Sequence, residues 1–413
     1  MRVLVVGSGG REHALAWKLA RSPALTELHA APGNPGIATL AECHPIRAED
    51  AEGILGLARS HAIDLVVVGP EVPLVLGLAD ALRRFGVVVF GPSAAAARIE
   101  GSKSFAKEVM AAAGVATAAR LPFARPPCVV KADGLAAGKG VYVCRTQAEV
   151  DEALRALHGA GGEIVVEELL EGPEVSLFAV CDGRGAVPFG SAQDFKRAFD
   201  GDEGPNTGGM GGWAPVLDAD AAASLVRGVH TPVLEELARR GAPFVGLLYA
   251  GLMLTEAGPR VLEFNCRFGD PETQAVLPLV ESDLLELLGA AARGDLADEA
   301  VTFSSSSAVT VVVAGGRYPA EGDRGGEITG VEEAEAEGAI VFHAGTARQG
   351  ERLVTNGGRV LAVTGVGPSV WDARDVAYRA VERIGFAGMR FRTDIANDAA
   401  TGHSVTVDSG PPA

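Results

Sequence analysis

The chain has 413 residues, of which 47% are hydrophobic and 22% are charged, and its formal net charge is -17. The length allows several folded domains, and the hydrophobic content excludes a largely disordered protein. Because 53 acidic side chains outnumber 36 basic ones, nucleic acid and anionic membrane surfaces are disfavoured as partners, and any bound anion needs a local basic cluster.

Residues 1–100 alternate short β-branched runs with helical patterns, which indicates an α/β domain with a parallel sheet. Its ligand edge is expected at the carboxyl ends of the strands, where GSGG, GPE and GPS lie. The apolar run at the N-terminus is too short for a signal peptide or a membrane span. The five cysteines form no C-x-x-C pair, so we expect a cytoplasmic protein with reduced thiols.

Three further units follow. The helical pattern EGSKSFAKEVMAAAG has Ser102 as its expected N-cap and Gly114 as its expected end. Residues 121–187 form a compact α+β unit, small enough to move as a lid over a central domain at residues 101–120 and 188–315. Residues 316–396 are rich in strands and GG turns, and the polar tail at 397–413 is expected to fray.

The most informative segment is RVLEFNCRFGDPE, in which Glu263, Asn265 and Arg267 alternate with apolar residues. Alternate side chains of a strand share one face, so these three polar groups are expected together. A carboxylate and an amide oxygen can share a hard cation, and a guanidinium can hold the phosphate which that cation bridges. The pattern predicts a platform for a magnesium triphosphate; the alternative is an Arg-Glu pair on a solvated strand.

The N-terminal GSGGRE resembles a dinucleotide fingerprint, but Glu12 stands where G-x-G-x-x-G needs glycine. Nicotinamide binding is therefore disfavoured. The backbone amides of Gly9 and Gly10 at a helix start, with the cation of Arg11, favour a sugar phosphate. The alternative is a tight glycine turn without a ligand.

The segment DGLAAGKG is not a Walker A motif, because its glycine spacing is one residue too short and glycine replaces the magnesium-binding Ser or Thr. Three glycines and one lysine between two strands suit a loop that folds over a triphosphate, although an ordinary glycine-rich hairpin is possible. Lys131, at the end of a strand, and Lys103, at a helix start, add positive charge. The expected loop residues are Gly134, Gly138, Lys139 and Gly140.

Two further segments suit ligand contacts. Glu167 and Glu174 flank a short connector, which suits one carboxylate near an adenine amine and one on ribose hydroxyls, or simply two surface acids. The segment QDFKRAFDGDEGPNTGGMGGW combines bases with a glycine-rich loop, which favours an anion nest over a flexible linker. Its candidate residues are Asp194, Lys196, Asn206, Thr207, Gly208 and Gly209.

Together, GSGGREHA, VVKADGLAAGKGV, EELLEGPEVS, GPNTGGMG, EFNCRFGDPETQ and VTNGGRVL resemble the glycinamide ribonucleotide synthetase family of ATP-grasp ligases. The resemblance runs in order from Met1 to about Arg392. It implies an N-terminal α/β domain, a two-part ATP-grasp core with a lid, and a strand-rich C-terminal domain. One departure is the short LPFARPP before Cys128, where the family has about a helix more.

The resemblance implies ATP as a substrate, Mg²⁺ or Mn²⁺ as the metal, and a monomer or weak homodimer. It places Lys103, Lys131, the Gly134–Gly140 loop, Glu167 and Glu174 around ATP, and Glu263 and Asn265 on the metal, with no third ligand assigned. It places phosphoribosylamine at the N-terminal glycines, Arg11 and Glu71. It places glycine near Asp194, Lys196, the GPNTGGMG loop, Arg267 and Asp270. Arg267 and Lys139 are the expected catalytic residues.

The implied reaction joins glycine to 5-phosphoribosylamine through glycyl phosphate, with release of ADP and phosphate, in purine biosynthesis. Three alternatives stay open at this point. They are another ATP-grasp ligase with a different carboxylate such as bicarbonate, a nucleotide-dependent oxidoreductase, and a sensor that binds ATP without hydrolysing it.

Overall fold

The computed structural model describes residues 1–135, 140–160, 163–296 and 300–401. The N-terminal part contains a five-stranded parallel sheet in the order β3-β2-β1-β4-β5, as predicted. The side chains on both faces of this sheet are buried, which explains why its strands are apolar at nearly every position in the sequence. The strands are β1 (Arg2–Gly7), β2 (Glu27–Pro32), β3 (Glu42–Cys43), β4 (Leu65–Val68) and β5 (Val89–Phe90).

Helices cover this sheet and lead into the next unit. They are α1 (Gly10–Leu19), α2 (Ala51–Ser60), α3 (Glu71–Val75), α4 (Leu78–Arg83), α5 (Ala94–Gly101) and α6 (Lys103–Ala113). The predicted ends of α6 are confirmed: the Ser102 hydroxyl accepts a hydrogen bond from the Phe105 amide at 3.2 Å, and Gly114 has the left-handed φ of 68°.

A small sheet in the order β7-β6-β8 follows, with one helix packed on it. Its own buried cluster, which includes Cys128, Val130 and Leu157, makes it a separate packing unit. We call this sheet and helix the lid. It consists of β6 (Cys128–Ala132), β7 (Val141–Cys144), α7 (Gln147–Ala160) and β8 (Ile164–Glu168).

An antiparallel eight-stranded sheet joins the central and C-terminal parts in the order β15-β14-β9-β10-β13-β16-β21-β18. The strand at 174–182, grouped with the lid in the sequence analysis, pairs here with β14 and β10. The central elements are β9 (Glu174–Asp182), β10 (Ala186–Asp194), β11 (Arg197–Phe199), β12 (Glu203–Asn206), β13 (Gly211–Ala214), α8 (Ala219–Leu225), α9 (Thr231–Arg239), β14 (Val245–Thr255), β15 (Gly258–Asn265), α10 (Glu272–Val276) and α11 (Leu284–Arg293).

The C-terminal part is strand-rich, as predicted, and contains a second small sheet in the order β17-β20-β19. Its helix α13 packs on the large sheet through Ala373, Ala377 and Ala380. The elements are β16 (Ser307–Ala314), β17 (Asp323–Glu327), α12 (Val331–Ala336), β18 (Ile340–His343), β19 (Thr346–Gln349), β20 (Arg352–Gly357), β21 (Arg359–Gly367), α13 (Val370–Val381) and α14 (Asn397–Ala400). Among the described residues, no helix has the length and apolar character needed to cross a bilayer.

Candidate functional site

One cavity of about 710 Å³ gathers most of the residues that the sequence singled out. It lies where the lid, the β15 edge of the large sheet and the N-terminal part meet. Of the described candidates, Gly9, Gly10 and Gly209 do not line it, and Gly138 and Lys139 lie outside the described residues. The candidates in its wall are Arg11, Glu71, Lys103, Lys131, Gly134, Gly140, Glu167, Glu174, Asp194, Lys196, Asn206, Thr207, Gly208, Glu263, Asn265, Arg267 and Asp270.

The predicted metal platform is at the end of β15. Burial alone would raise the pKa of Glu263, but Lys196, Lys131 and other nearby cations hold it below its usual value. Glu263 is therefore a carboxylate at neutral pH. The Asn265 side chain is buried, and its Oδ1 accepts a hydrogen bond from Arg267 at 3.3 Å. Two hard oxygen ligands thus line the same wall, which suits a cation such as Mg²⁺.

Arg267 differs from its prediction, because β15 ends at Asn265 and Arg267 lies in the following loop. It reaches the cavity because two carboxylates and Asn265 hold its guanidinium. Glu71 and Glu100 each lie 3.2 Å from it. Burial would lower the pKa of Arg267, but these two carboxylates raise it well above the usual value. Arg267 is a fixed cation, anchored by residues from the N-terminal part.

Lys131 is a member of a buried ion cluster that the sequence did not reveal. The two Glu167 oxygens lie 2.8 Å from the Lys107 ammonium and 2.6 Å from the Lys131 ammonium, and Glu167 is 2% exposed. Lys131 also donates to the Leu262 carbonyl at 3.2 Å. Because both oxygens of Glu167 contact lysines, this carboxylate positions two cations in the cavity wall.

The start of α6 is tied to the glycine loop of the lid. The Asp133 carboxylate accepts a hydrogen bond from the Lys103 amide at 2.6 Å, and the Lys103 ammonium donates to the Gly134 carbonyl at 3.1 Å. Lys103 is thus held beside Gly134, the first residue of this loop, at a position where the resemblance implied a contact with ATP.

Acids surround Lys196, which also lines the cavity. Its ammonium is hydrogen-bonded to Glu174 and lies 3.8 Å from Asp194. Burial, opposed by Lys196 and reinforced by Glu272, Glu174 and other carboxylates, raises the pKa of Asp194 to about 8. In the site without a ligand, Asp194 is therefore protonated more readily than an ordinary aspartate.

The GPNTGGMG loop contacts both the lid and the C-terminal part. Asn206 donates to the Val141 carbonyl of the lid at 3.1 Å, and the Gly208 amide donates to the Tyr318 hydroxyl at 2.8 Å. Arg359 donates to the Gly208 carbonyl and forms a 3.2 Å ion pair with Asp270. The loop is thus positioned by the lid and by two residues of the C-terminal part.

The N-terminal glycines are more occupied by internal contacts than the sequence suggested. The Gly9 amide donates to the Glu12 carboxylate at 2.5 Å, and a side chain on Gly10 would meet Gln274. Arg11 is 7% exposed and forms a 2.6 Å ion pair with Glu12. Glu12, the residue that breaks the dinucleotide fingerprint, therefore caps α1 and engages Arg11.

The sequence reasoning missed several cavity residues. Glu272 is 3% exposed, and its carboxylate accepts a hydrogen bond from the Ser176 hydroxyl at 3.4 Å. Glu272 could have been recognised from the sequence, because it lies in the FGDPETQ segment and is the next acidic residue after Asp270. Other cavity residues that the sequence reasoning did not assign to the site include Glu100, Lys107, Tyr249 and Arg359, although Arg359 lies in the VTNGGRVL segment.

Comparisons with known proteins agree along most of the chain. Family models described as phosphoribosylglycinamide synthetase match it with the N domain at residues 1–100, the ATP-grasp (A) domain at 101–273 and the C domain at 308–398. The phosphoribosylamine–glycine ligase of Streptomyces coelicolor is 53% identical over 97% of this chain and 100% of that protein. The enzyme of the same name from Corynebacterium ammoniagenes is 48% identical over 99% and 100%.

Solved structures agree as well. The phosphoribosylamine–glycine ligase of Thermotoga maritima has a TM-score of 0.84 and 36% identity, covering 96% of this chain and 100% of that one. A biotin carboxylase of Campylobacter jejuni shares the fold alone, with a TM-score of 0.70, 13% identity, and coverage of 97% and 98%. The chain therefore belongs to the phosphoribosylamine–glycine ligase family of ATP-grasp enzymes.

Proposed function

We propose that the chain joins glycine to 5-phosphoribosylamine through a glycyl phosphate intermediate, giving glycinamide ribonucleotide, ADP and phosphate. The ligase activity, as a step of purine biosynthesis, is that of the family to which the chain belongs. One observation carries the proposal most strongly: a single cavity combines Lys131 of the lid and Lys103 of α6 with oxygen donors for a metal and with the glycine-rich anion loop.

At the nucleotide end, Lys103 and Lys131 neutralise the polyphosphate, and the Gly134–Gly140 loop, with Gly138 and Lys139, closes over it. The support is that both lysines line the cavity and that the Lys103 ammonium donates to the Gly134 carbonyl. Glu174 lines the cavity and is the candidate for the ribose hydroxyls. Glu167 acts through Lys107 and Lys131 because its oxygens already contact them.

Enzymes of this family use ATP together with a divalent metal ion. Glu263 and Asn265 fit such an ion, since one is a carboxylate whose pKa is held low by nearby lysines and the other offers an amide oxygen. We assign them to Mg²⁺ or Mn²⁺. When bound, this ion neutralises charge on the transferring phosphoryl group. Glu272 is a further carboxylate in the same cavity.

The substrates occupy the rest of the cavity. We assign Asp194, Lys196, the Asn206–Gly209 loop and Asp270 to glycine. We assign phosphoribosylamine to the N-terminal side of the cavity, at Arg11 and Glu71 with Gly9 and Gly10 next to them. The support for the N-terminal assignment is that Glu71 lies 3.9 Å from Arg11 and 3.2 Å from Arg267, which joins these residues in one ion-pair group in the cavity wall.

Catalysis on this account needs positioning and charge neutralisation rather than a protein nucleophile. The glycine carboxylate attacks the γ-phosphoryl group, and the amine of phosphoribosylamine then displaces phosphate from the glycyl carbon. Arg267 is fixed by Glu71 and Glu100, so its charge requires no reorganisation during the reaction. Closure of the lid excludes water from the acyl phosphate, which would otherwise hydrolyse.

The test is a coupled assay of phosphate release with glycine and freshly generated phosphoribosylamine, each omitted in turn. We expect release only when both are present with ATP and a divalent ion. Release with bicarbonate in place of glycine would favour a carboxylase. ATP binding without release under any combination would favour a sensor, and reduction of a nicotinamide cofactor would favour an oxidoreductase.

A further inference from the structure

Four potential metal ligands meet on the N-terminal sheet, outside the residues that line the cavity. His29 lies in β2, Glu42 in β3, His44 directly after β3, and His61 directly after α2. One ligand atom from each of these residues lies within 4.8 Å of the others. Three imidazoles and a carboxylate match the ligand types of Zn²⁺ and similar transition metals, whereas Mg²⁺ prefers oxygen ligands.

The distances within this group are close to those of a bound ion. His29 Nδ1 lies 3.1 Å from His44 Nε2. In a tetrahedral zinc site with bonds of 2.0–2.1 Å, neighbouring ligand atoms are about 3.3 Å apart. The Glu42 oxygens lie 3.8 Å from His29 Nδ1 and 3.9 Å from His44 Nε2. Glu42 is an exposed side chain, so it can move the remaining distance at little cost.

The hydrogen bonds behind these histidines also suit metal ligands. The Nδ1 atom of His61 lies 3.3 Å from the Leu57 carbonyl, to which it can donate, leaving Nε2 with a free lone pair. His29 is 3% exposed, and its Nε2 has no hydrogen-bond partner in the part of the chain that the structure describes. The Glu27 carboxylate lies 3.6 Å from that nitrogen. A metal on Nδ1 would leave the proton on Nε2, directed at Glu27.

We propose that His29, Glu42, His44 and His61 bind a divalent transition-metal ion of the zinc class. The site is structural. It fastens β3, a strand of only two residues, to its neighbour β2 and to the end of α2. It is separate from the metal platform at Glu263 and Asn265, because none of the four ligands lines the cavity.

The experiment uses the full-length chain without a histidine tag, stripped with a chelator and free of nucleotide. Zn²⁺ is titrated against a competing chromophoric chelator, and Co²⁺ is added separately to record the absorption of a tetrahedral site. We expect one strongly bound ion per chain. The variants His44→Gln and His61→Gln should each weaken zinc binding at least about a hundredfold, by analogy with the loss seen when a metal site is disturbed.

Two matched controls identify the site. His158→Gln changes an exposed histidine of α7, and Glu263→Gln changes the nucleotide platform. Both should retain the zinc affinity and the cobalt spectrum of the unaltered chain. In zinc-free buffer, circular dichroism of the ligand variants should match that of the unaltered chain. With Mg²⁺ added, their phosphate-release activity should also be unchanged.

A thermal readout separates a structural ion from a loosely bound one. Zinc should raise the Tm of the unaltered chain and leave that of His44→Gln unchanged, since only a native-state site stabilises in this way. Absence of zinc binding at micromolar concentration would overturn the proposal. A zinc affinity in His44→Gln and His61→Gln equal to that of the unaltered chain would overturn it too. Glu42→Gln, which changes the most exposed of the four ligands, is a third variant judged by the same criterion.

Discussion

The substitution Glu263→Gln tests the metal platform most directly. The side chain keeps its size and one oxygen but loses its charge. In the native protein that charge is present at neutral pH, because Lys131 and Lys196 hold the pKa of Glu263 low. Two unit charges 4 Å apart interact by about 4 kcal/mol at an effective dielectric constant of about 20. The remaining amide oxygen recovers part of this, so we expect a loss of at least about 2.7 kcal/mol.

That loss corresponds to a fall of about a hundredfold in kcat/KM. The assay is phosphate release with both substrates, measured across a range of Mg²⁺ concentrations, and higher Mg²⁺ should restore part of the activity. Glu286→Gln, an exposed glutamate in the first turn of α11, is the matched control and should be unaffected. Normal kcat/KM with an unaltered Mg²⁺ dependence in Glu263→Gln would refute the metal assignment.

Three other substitutions or conditions test the surrounding structure. Glu167→Gln leaves the buried ammonium of Lys131 and the half-buried ammonium of Lys107 without their carboxylate. Thermal and urea unfolding should therefore show a loss of about 3–5 kcal/mol, and the KM for ATP should rise. Burial lowers the pKa of His230 from 6.5 to about 4, so only the unfolded chain gains this proton between those pH values. Acidification from pH 7 to 5 should therefore lower the free energy of unfolding by up to about 2 kcal/mol, and His230→Gln should remove this contribution. Gly209→Ala places a methyl group 2.4 Å from a proline ring carbon, at a backbone φ of 106° that favours glycine. Urea unfolding should therefore show a loss of about 1–3 kcal/mol in the free energy of unfolding, and the phosphate-release assay should show a loss of activity. Unchanged values would contradict the loop geometry.

The sequence was sufficient to predict those features that depend on residues close together along the chain. The N-cap at Ser102 and the glycine end of α6 could be predicted because both depend on residues within one helix. The alternation of Glu263 and Asn265 identified the polar face of β15 because strand periodicity fixes it. The parallel N-terminal sheet followed from runs that are apolar at every position.

Partners that are distant along the chain could not be predicted in this way. Glu100 and Arg267 are far apart in sequence, and nothing near Glu100 marks it as the anchor of a cavity arginine. Lys107 gave no signal either, because a lysine within an amphipathic helix is ordinarily solvated. The end of β15 before Arg267 was missed because its alternation with apolar residues continues past the last strand residue.

The pairing of β13 with β16 has a practical consequence for dissecting this enzyme. Gly211–Ala214 forms a ladder with residues 308–311, so one continuous sheet runs from the ATP-grasp region into the C-terminal region. A protein truncated before Ser307 would lack β16, so the backbone N–H and C=O groups along one side of β13 would be unpaired. An exposed strand edge of this kind is a template for aggregation. Polypeptides designed to carry only the catalytic half should therefore retain the C-terminal strands or supply a substitute for them.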